Sequence, residues 1–192
     1  MSNNVNSICK AAYFALHRIG KIRTLLSQGL TEKLIHAFVT SRLDYCNSLL
    51  YGIPQHQLEI IQSVQNAAAR LITRSRRSDH ITPLLKSLHW LRIEYRIKYK
   101  ICLLTYKIIQ GKCPEYLKSF VTLYEPPRSL RSSLSSQLQR RDNITTTKTY
   151  GRRAFSIVAP ILWNDLPLSL RSSSSISTFK GLLKTFFFNQ CY

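Results

Sequence analysis

Acidic residues are scarce in this chain of 192 residues, where 9 Asp and Glu stand against 28 Lys and Arg and give a formal net charge of +19. The nine lie far apart in sequence, so none forms the close carboxylate pair that two-metal phosphoryl transfer needs. A glycine-rich phosphate loop, a GxSxG elbow and an HExxH motif are also missing. The sequence therefore predicts a protein without catalytic residues.

Cysteine pairs are a second absence. The five cysteines are scattered and odd in number, none belongs to a CxxC pair, and no histidine adds a ligand at zinc spacing. We therefore expect no metal and no cofactor. The cysteines are predicted to be small buried hydrophobic residues of a reducing compartment. They are Cys9, Cys46, Cys102, Cys113 and Cys191.

Long hydrophobic runs are missing as well. The N-terminal stretch MSNNVNSICK has no apolar segment of signal-peptide length. The most apolar run, AFSIVAPILW, is ten residues long and contains a proline, which is too short to span a bilayer. The sequence predicts an intracellular protein, nuclear or cytoplasmic, that does not associate with membranes.

What is present is helical periodicity. Hydrophobic residues make up 44% of the chain, and several segments repeat them every three to four positions. This predicts a mainly α protein, an array of about five to seven helices. The predicted helices cover 5–28, 32–51 with Thr31 as N-cap, 54–73 from Pro54, 83–91, 91–110 and a brief segment from Pro114 to Leu123.

Each predicted helix has an apolar face. Gly29 is expected to end the first helix, and Gly52 with Pro54 the second. The predicted core positions of the first two helices are Ile8, Ala12, Leu16, Ile19, Ile22 and Leu26, followed by Leu34, Ile35, Phe38, Val39, Leu43, Cys46, Leu49 and Leu50.

The composition changes at residue 125. The predicted organisation is a helical region at 1–124, an irregular Ser/Thr/Arg-rich arm at 125–148 and a small helical segment at 149–192. Trp90 and Trp163 are expected to be core anchors. The last helix carries an apolar face of Phe179, Leu182, Leu183, Phe186 and Phe187.

Basic residues cluster on these helices. A net charge of +19 favours a polyanion, and arginine forks match phosphates while aromatic rings stack on unpaired bases. We therefore expect sequence-tolerant, salt-sensitive binding of RNA or single-stranded DNA. The alternative is a solvated basic face in which Tyr95 and Tyr99 lie half buried. The candidate contacts are Arg70, Arg74, Arg76, Arg77, Arg92 and Arg96, followed by Arg140, Arg141, Arg152 and Arg153.

The stretch SRLDYCNSLLYGIP, at 41–54, suggests chemistry because Asp44 and Cys46 follow His36. On one helix, however, residues two apart do not face each other, and His36 lies nearly three turns from Cys46. A catalytic triad is thus disfavoured. The structural alternative makes Cys46 a core residue and Asp44 a surface or capping partner of a neighbouring arginine, such as Arg42 or Arg70.

Together with LEIIQSVQNAAARLITRSRRSDHITPLLKSLHWLRIEYRIKYKICLLTYKIIQGKCPEYL, this stretch closely resembles the C-terminal region of reverse transcriptases from LINE-type, non-LTR retrotransposons. The likeness is to the jockey-like and chicken-repeat-like groups. The later stretch TYGRRAFSIVAPILWNDLPLSLRSSSSISTFKGLLKTFFF resembles the tail of the same polyproteins. The resemblance covers nearly the whole chain and runs through several long motifs in order.

The resemblance implies the end of the polymerase thumb and the helical region after it, which in that family grips template RNA and target DNA. The family's catalytic aspartates lie in an [FY]xDD motif, and this chain has no adjacent Asp pair. The zinc knuckle of some relatives is also missing. The implied function is a non-catalytic fragment of an RNA-directed DNA polymerase polyprotein, with nucleic acid, the rest of the polymerase or a host protein as partners.

Two alternatives remain open at this point. The first is a helical protein-interaction module recruited by the host, which would use the apolar C-terminal helix. The second is a relic whose product has no selected function.

Overall fold

The structure, a computed structural model, describes residues 2–125, 136–140 and 151–192. Over these ranges the chain forms nine α-helices, seven of them at least seven residues long, and no β-strand. The prediction of a mainly α protein is therefore confirmed. No helix in the described ranges combines the length and the apolar character that crossing a bilayer requires.

The helices are numbered in chain order. Their bounds are α1 Ser2–Ile22, α2 Gln28–Ile35, α3 Ser41–Asp44, α4 Gln55–Thr73, α5 Ile81–Ser87, α6 Ile93–Ile109, α7 Phe155–Asn164, α8 Leu168–Arg171 and α9 Ile176–Cys191. Short 3-10 segments occur at Arg23–Leu25, Asn47–Leu50, Glu115–Phe120 and Gly151–Arg153, and a π-helical turn lies at His36–Thr40.

The chain divides into two compact units. The first comprises Met1–Arg96 with Phe188–Tyr192, and the second comprises Ile97–Phe187. The predicted boundaries at 124/125 and 148/149 remain a prediction, since most of the arm at 125–148 lies outside the described residues.

The core of the first unit forms where α1 packs against α4. Apolar side chains recur every three to four residues on the facing stripes of both helices, as an amphipathic helix requires. The buried positions are Val5, Cys9, Ala12, Leu16 and Ile19 on α1, with Ile61, Val64, Ala68, Ala69 and Ile72 on α4. Trp90 is also buried in this unit, so its predicted role as a core anchor is confirmed.

One charged side chain lies in this core. Arg23, directly after α1, is only 7% exposed. Its guanidinium donates from Nε to the Leu71 carbonyl and from Nη2 to the Ile72 carbonyl, each at 2.8 Å, and from Nη1 to Leu26 O, also at 2.8 Å. Leu71 and Ile72 belong to the last turn of α4, whose carbonyls have no partner within the helix. Arg23 therefore closes the end of α4, and we call this arrangement the Arg23 fork.

The predicted junction between the first two helices was wrong. Ser27, not Thr31, caps the second helix, because its hydroxyl accepts the backbone N–H of Leu30 at 3.3 Å. Gly29 consequently lies in the first turn of α2 instead of ending α1. Thr31 is buried inside the helix and donates its hydroxyl to the Ser27 carbonyl at 2.8 Å.

The second predicted helix also ends earlier than expected. After α3, Tyr45 is extended and Cys46 adopts a left-handed conformation with φ of 52°. Leu43 and Leu50 are buried as predicted, but Cys46 is exposed and Leu49 is 64% exposed. The reversal at 45–46 changes which side chains face the core, so the predicted core roles of Cys46 and Leu49 were wrong.

Two further predicted core positions are exposed. Ile22 and Phe38 lie at the edges of their apolar stripes, and both remain largely accessible to solvent. The core stripe of α1 begins earlier, at Val5, and ends at Ile19. Helical spacing alone did not show where the buried stripe stops.

The second unit is organised around an aromatic cluster. The rings of Tyr106 and Phe179 are stacked with centroids 4.2 Å apart, and Trp163 lies 5.8 Å from Phe179. All three are buried, and the Tyr106 hydroxyl donates to the Ser173 carbonyl at 2.9 Å. The prediction that Trp163 anchors the core is confirmed.

Residues 136–140 are the described part of the predicted arm, and they pack closely. The side chain of Asn164 accepts the backbone N–H of Leu138 at 2.8 Å and donates to its carbonyl at 2.9 Å. Trp163 Nε1 donates to the Ser136 carbonyl at 2.9 Å, and Leu138 itself is buried. This short piece of the arm is thus a fixed part of the second unit.

Replacing Arg23 with Met should lower the free energy of unfolding by about 3 kcal/mol, because the terminal carbonyls of α4 lose their charged donor in a partly buried site. Urea denaturation followed by circular dichroism measures the change. Arg23→Lys should be intermediate, since one ammonium cannot reproduce the fork. The exposed control Lys10→Met should stay within about 0.5 kcal/mol of wild type, and an Arg23→Met protein of wild-type stability would contradict the assigned role.

Candidate nucleic-acid interface

The largest predicted arginine cluster lies where α4 ends. Arg74 caps the helix in a left-handed conformation with φ of 55°, and the next residue, Ser75, donates its N–H to the Arg70 carbonyl at 3.2 Å. This is the hydrogen-bond pattern of a helix end closed by a reversal of the chain. A residue other than glycine pays about 1–2 kcal/mol for that conformation, so the surrounding contacts must hold it in place.

The residues that follow form a closed turn, 74–79, which we call the basic turn. The carboxylate of Asp79 accepts the backbone N–H of Arg76 at 2.7 Å, and the Asp79 N–H donates back to the Arg76 carbonyl at 3.2 Å. Arg70 Nη2 reaches the Asp79 carbonyl at 3.2 Å. The one acidic side chain of the turn is therefore directed to the backbone.

The four arginines of this cluster have different surroundings. Arg70 is half buried and bonded to the turn, and Arg74 directs Nη2 to the Arg23 carbonyl at 3.4 Å. Arg76 and Arg77 are exposed, and neither side chain forms an ion pair with any residue that the structure describes. Only these last two combine full exposure with no contact to the helix end.

Like charges meet at this helix end. Burial lowers the pKa of the Arg23 guanidinium, and the neighbouring charge of Arg74 lowers it further. Cations are nevertheless favoured beside the last carbonyls of a helix, where the partial charge is negative. Arg23, Arg70 and Arg74 therefore each have a structural role near the end of α4.

Arg96 forms the principal ion pair of the first unit. Its guanidinium makes two hydrogen bonds to the Asp44 carboxylate. Nε donates to Oδ1 at 3.0 Å, and Nη2 donates to Oδ2. The side chains of Arg96 and Asp44 are only 19% and 34% exposed. Asp44 therefore does have an arginine partner, but α6 supplies it as Arg96, and neither Arg42 nor Arg70, the two neighbours suggested above, is that partner. Arg92, one residue before α6, is exposed.

The three residues of the hypothetical triad, His36, Asp44 and Cys46, lie in different surroundings and have different contacts. His36 lies 3.5 Å from Glu32 and packs its ring 5.5 Å from Trp90. Asp44 is held by Arg96, and Cys46 is exposed beyond the end of α3. These contacts favour the interpretation of SRLDYCNSLLYGIP as a structural joint.

Tyr95 and Tyr99 are both half buried, which matches the alternative considered for them. The Tyr95 hydroxyl donates to the Gln190 carbonyl at 3.0 Å, and burial raises the pKa of Tyr99. Their rings are therefore poorly placed as open stacking platforms for bases.

The remaining predicted contacts lie in the second unit or outside the described residues. Arg140 is 3.6 Å from Asp165, and both are largely exposed. Arg152 is exposed and Arg153 half buried in the 3-10 segment Gly151–Arg153. Arg141 lies outside the described residues, so nothing is assigned to it.

Cysteine and metal chemistry add little to this surface. Cys9 and Cys102 are buried as predicted, whereas Cys113 and Cys191 are only half buried and Cys46 is exposed. Burial raises the pKa of Cys102 to about 12, so its thiol stays protonated. Across the described ranges no group of three or more His, Cys, Asp or Glu side chains could hold a metal ion.

Sequence reasoning missed Arg23. Its position contained a signal, because Leu16, Ile19 and Arg23 follow one another at helical spacing on the same stripe. A charged residue at a core position requires a partner, and the partners are backbone carbonyls of α4, which the side-chain pattern does not show.

No protein-family model, curated protein or solved structure matches this chain. Function is therefore inferred from the residues, from the geometry of the basic turn and from the resemblance described above.

Arg96→Gln should reduce the free energy of unfolding by about 1–2 kcal/mol, because it leaves the partly buried Asp44 carboxylate without its partner. Asp44→Ala should cost a similar amount, and the double variant should cost less than the sum of the two. Thermal or urea unfolding measures both. The exposed neighbour Arg92→Gln is the matched control and should stay within about 0.5 kcal/mol of wild type. A fully additive double variant would show that the pair does not couple.

Proposed function

We propose that this chain is a non-catalytic fragment of a retrotransposon RNA-directed DNA polymerase polyprotein that binds RNA or single-stranded DNA. The resemblance of its long motifs to the thumb and post-polymerase region supports the family. The net charge of +19 supports a polyanionic partner.

The proposal rests mainly on the exposure of Arg76 and Arg77, whose side chains form no ion pair with any described residue. Both are exposed on a turn that Asp79 closes through backbone hydrogen bonds, so the turn's own carboxylate does not occupy their side chains. A guanidinium presents donors in a rigid fork that matches two phosphate oxygens. Because the turn is closed, binding a phosphate backbone would order the two side chains but would not have to order the turn itself.

The same geometry predicts the kind of binding. Tyr95 and Tyr99 are half buried, and the accessible groups of the turn are cations. Phosphate contacts position a nucleic acid but carry no sequence information. The affinity should therefore tolerate changes of sequence and fall steeply with salt.

Catalysis is not part of the proposal, because no two of the nine carboxylates are adjacent in sequence. The purified chain, given a primer–template, Mg²⁺ and deoxynucleotides, should incorporate no nucleotide. Template-dependent incorporation would contradict the assignment to a non-catalytic fragment.

The apolar face of the last helix gives limited support to the protein-interaction alternative. Phe179, Leu183 and Phe187 are buried, whereas Leu182 is 42% exposed. A partner surface on α9 would therefore have few large apolar side chains to offer. A relic without selected function carries the same net charge, so it would bind a polyanion in the same way.

Replacing Arg76 and Arg77 together with Gln should lower the slope of log K against log salt concentration by about 1.4 for an oligo(U) ligand, since each lost single-strand phosphate contact accounts for about 0.7. Fluorescence anisotropy over a salt series measures the slope.

The matched control is Lys10→Gln with Lys33→Gln, which removes the same charge from exposed positions on α1 and α2. It should change the slope by less than half as much. Equal slopes for the two double variants would show that the basic turn contributes only to the general field of the protein. Arg70 and Arg74 are left intact because their guanidinium groups donate to the backbone carbonyls of Asp79 and Arg23.

A further inference from the structure

An apolar groove lies in the first unit between α1 and the segment formed by α2 and the π-helical turn. Its volume is about 600 Å³. Phe14 and Ile22 of α1 line one wall, and Leu34 and Phe38 line the other. Phe14 is 64% exposed and Phe38 is 51% exposed, although both are large hydrophobic residues. Exposed apolar side chains that gather in one groove, instead of lying singly on the surface, offer a contact for another apolar surface.

Helical spacing arranges the α1 wall. Phe14, Arg18 and Ile22 are four residues apart on α1, and side chains four apart lie one above the other on an α-helix face. The opposite wall, Leu34, Phe38 and Arg42, runs across the π-helical turn. The lining also includes Ala11 and Ala15, whose small side chains leave room for the ridge of another helix.

The groove carries charge of one sign. Its lining includes Arg18, Lys21 and Arg42 and contains no Asp or Glu. The Arg18 guanidinium lies 5.8 Å from the centre of the Phe14 ring, and Arg42 Nε donates to the Phe38 carbonyl at 3.1 Å. Within the described part of the chain none of the three forms an ion pair with a carboxylate.

We propose that this groove binds an amphipathic α-helix of a partner protein, with large apolar side chains at i, i+3 or i+4, and i+7 and acidic residues flanking them. Apolar anchors of such a helix fill the channel between Phe14 and Phe38. Its carboxylates meet Arg18, Lys21 and Arg42 at the edge. This inference is independent of the proposed nucleic-acid binding, which uses the basic turn.

Charge complementarity selects this occupant over copies or segments of the chain itself. A second copy carries another +19 and is repelled. Residues 126–135 and 141–150, outside the described ranges, contain Arg128, Arg131, Arg141 and Lys148 against a single Asp142, so their charge does not complement the groove.

The lining also favours a helix over unpaired bases. Base stacking needs open aromatic faces, whereas Arg18 lies over the Phe14 ring and the apolar lining has more aliphatic residues than aromatic ones, with Ile19, Ile22 and Leu34 among them. Aliphatic surface packs well against leucine-type side chains. Nucleic-acid binding at the groove is therefore the outcome that the test must separate from helix binding.

The test uses two synthetic alanine-based peptides, each about four helical turns long, with Leu at i, i+3, i+4 and i+7. One peptide has Glu flanking the leucines, and the other has Lys at the same positions. Fluorescence anisotropy with the full chain should show binding of the Glu peptide and at least about tenfold weaker binding of the Lys peptide.

Variants locate the binding. The double change Phe14→Ser and Phe38→Ser should weaken the Glu peptide at least about tenfold, and both positions are exposed enough to leave the fold intact. The control Leu49→Ser removes an equally exposed apolar side chain outside the groove and should bind as wild type. Arg18→Gln with Arg42→Gln should weaken the Glu peptide more than Lys10→Gln with Lys33→Gln.

Failure of the Glu peptide to bind, or equal binding by the Phe14/Phe38 variant and wild type, would overturn the proposal. It would also be overturned if oligo(U) displaced the peptide and lost its own affinity in the Phe14/Phe38 variant, because the groove would then be a base-binding site. Retained oligo(U) binding by that variant, together with loss of peptide binding, is the expected result. An oligo(U) failure in the wild-type chain would count against the proposed function alone.

Discussion

The first unit depends on the bonds from Arg23 to the end of α4. A single guanidinium joins the turn after α1, the segment before α2 and the last turn of α4, with three contacts at 2.8 Å. These carbonyls would otherwise be left without partners beside the core. Because the end of α4 is fixed in this way, the chain reverses at Arg74 and the basic turn projects from a defined point.

The charge of the protein serves two physical purposes at this place. Arg23 donates to the last carbonyls of α4, where positive charge stabilises a helix end, and Arg70 and Arg74 donate to the carbonyls of Asp79 and Arg23. Arg76 and Arg77 extend into solvent beyond them, on a turn that Asp79 keeps closed. Arginines that form one run in the sequence therefore divide into a structural group and an exposed pair, and only the exposed pair has its donors available to an anion.

The sequence predicts the helical class well, since apolar periodicity places α1, α4 and α6 close to their observed positions. It predicts junctions poorly. Ser27 and Thr31 are both good N-caps by type, and the choice depends on how the chain leaves the Arg23 fork. The pairing of Arg96 with Asp44 joins residues 52 positions apart, which no local pattern encodes. Phe38 fits an apolar stripe by spacing, yet it is exposed, because burial depends on whether another element covers that edge.

We propose that the basic turn contacts single-stranded nucleic acid. Hydrogen–deuterium exchange with and without saturating oligo(U) tests it most directly, because it reports contact residue by residue and does not depend on a substitution. We expect slower exchange at 74–79 in the complex, in a chain that binds oligo(U). Binding with no change at 74–79, and slower exchange only elsewhere, would contradict it.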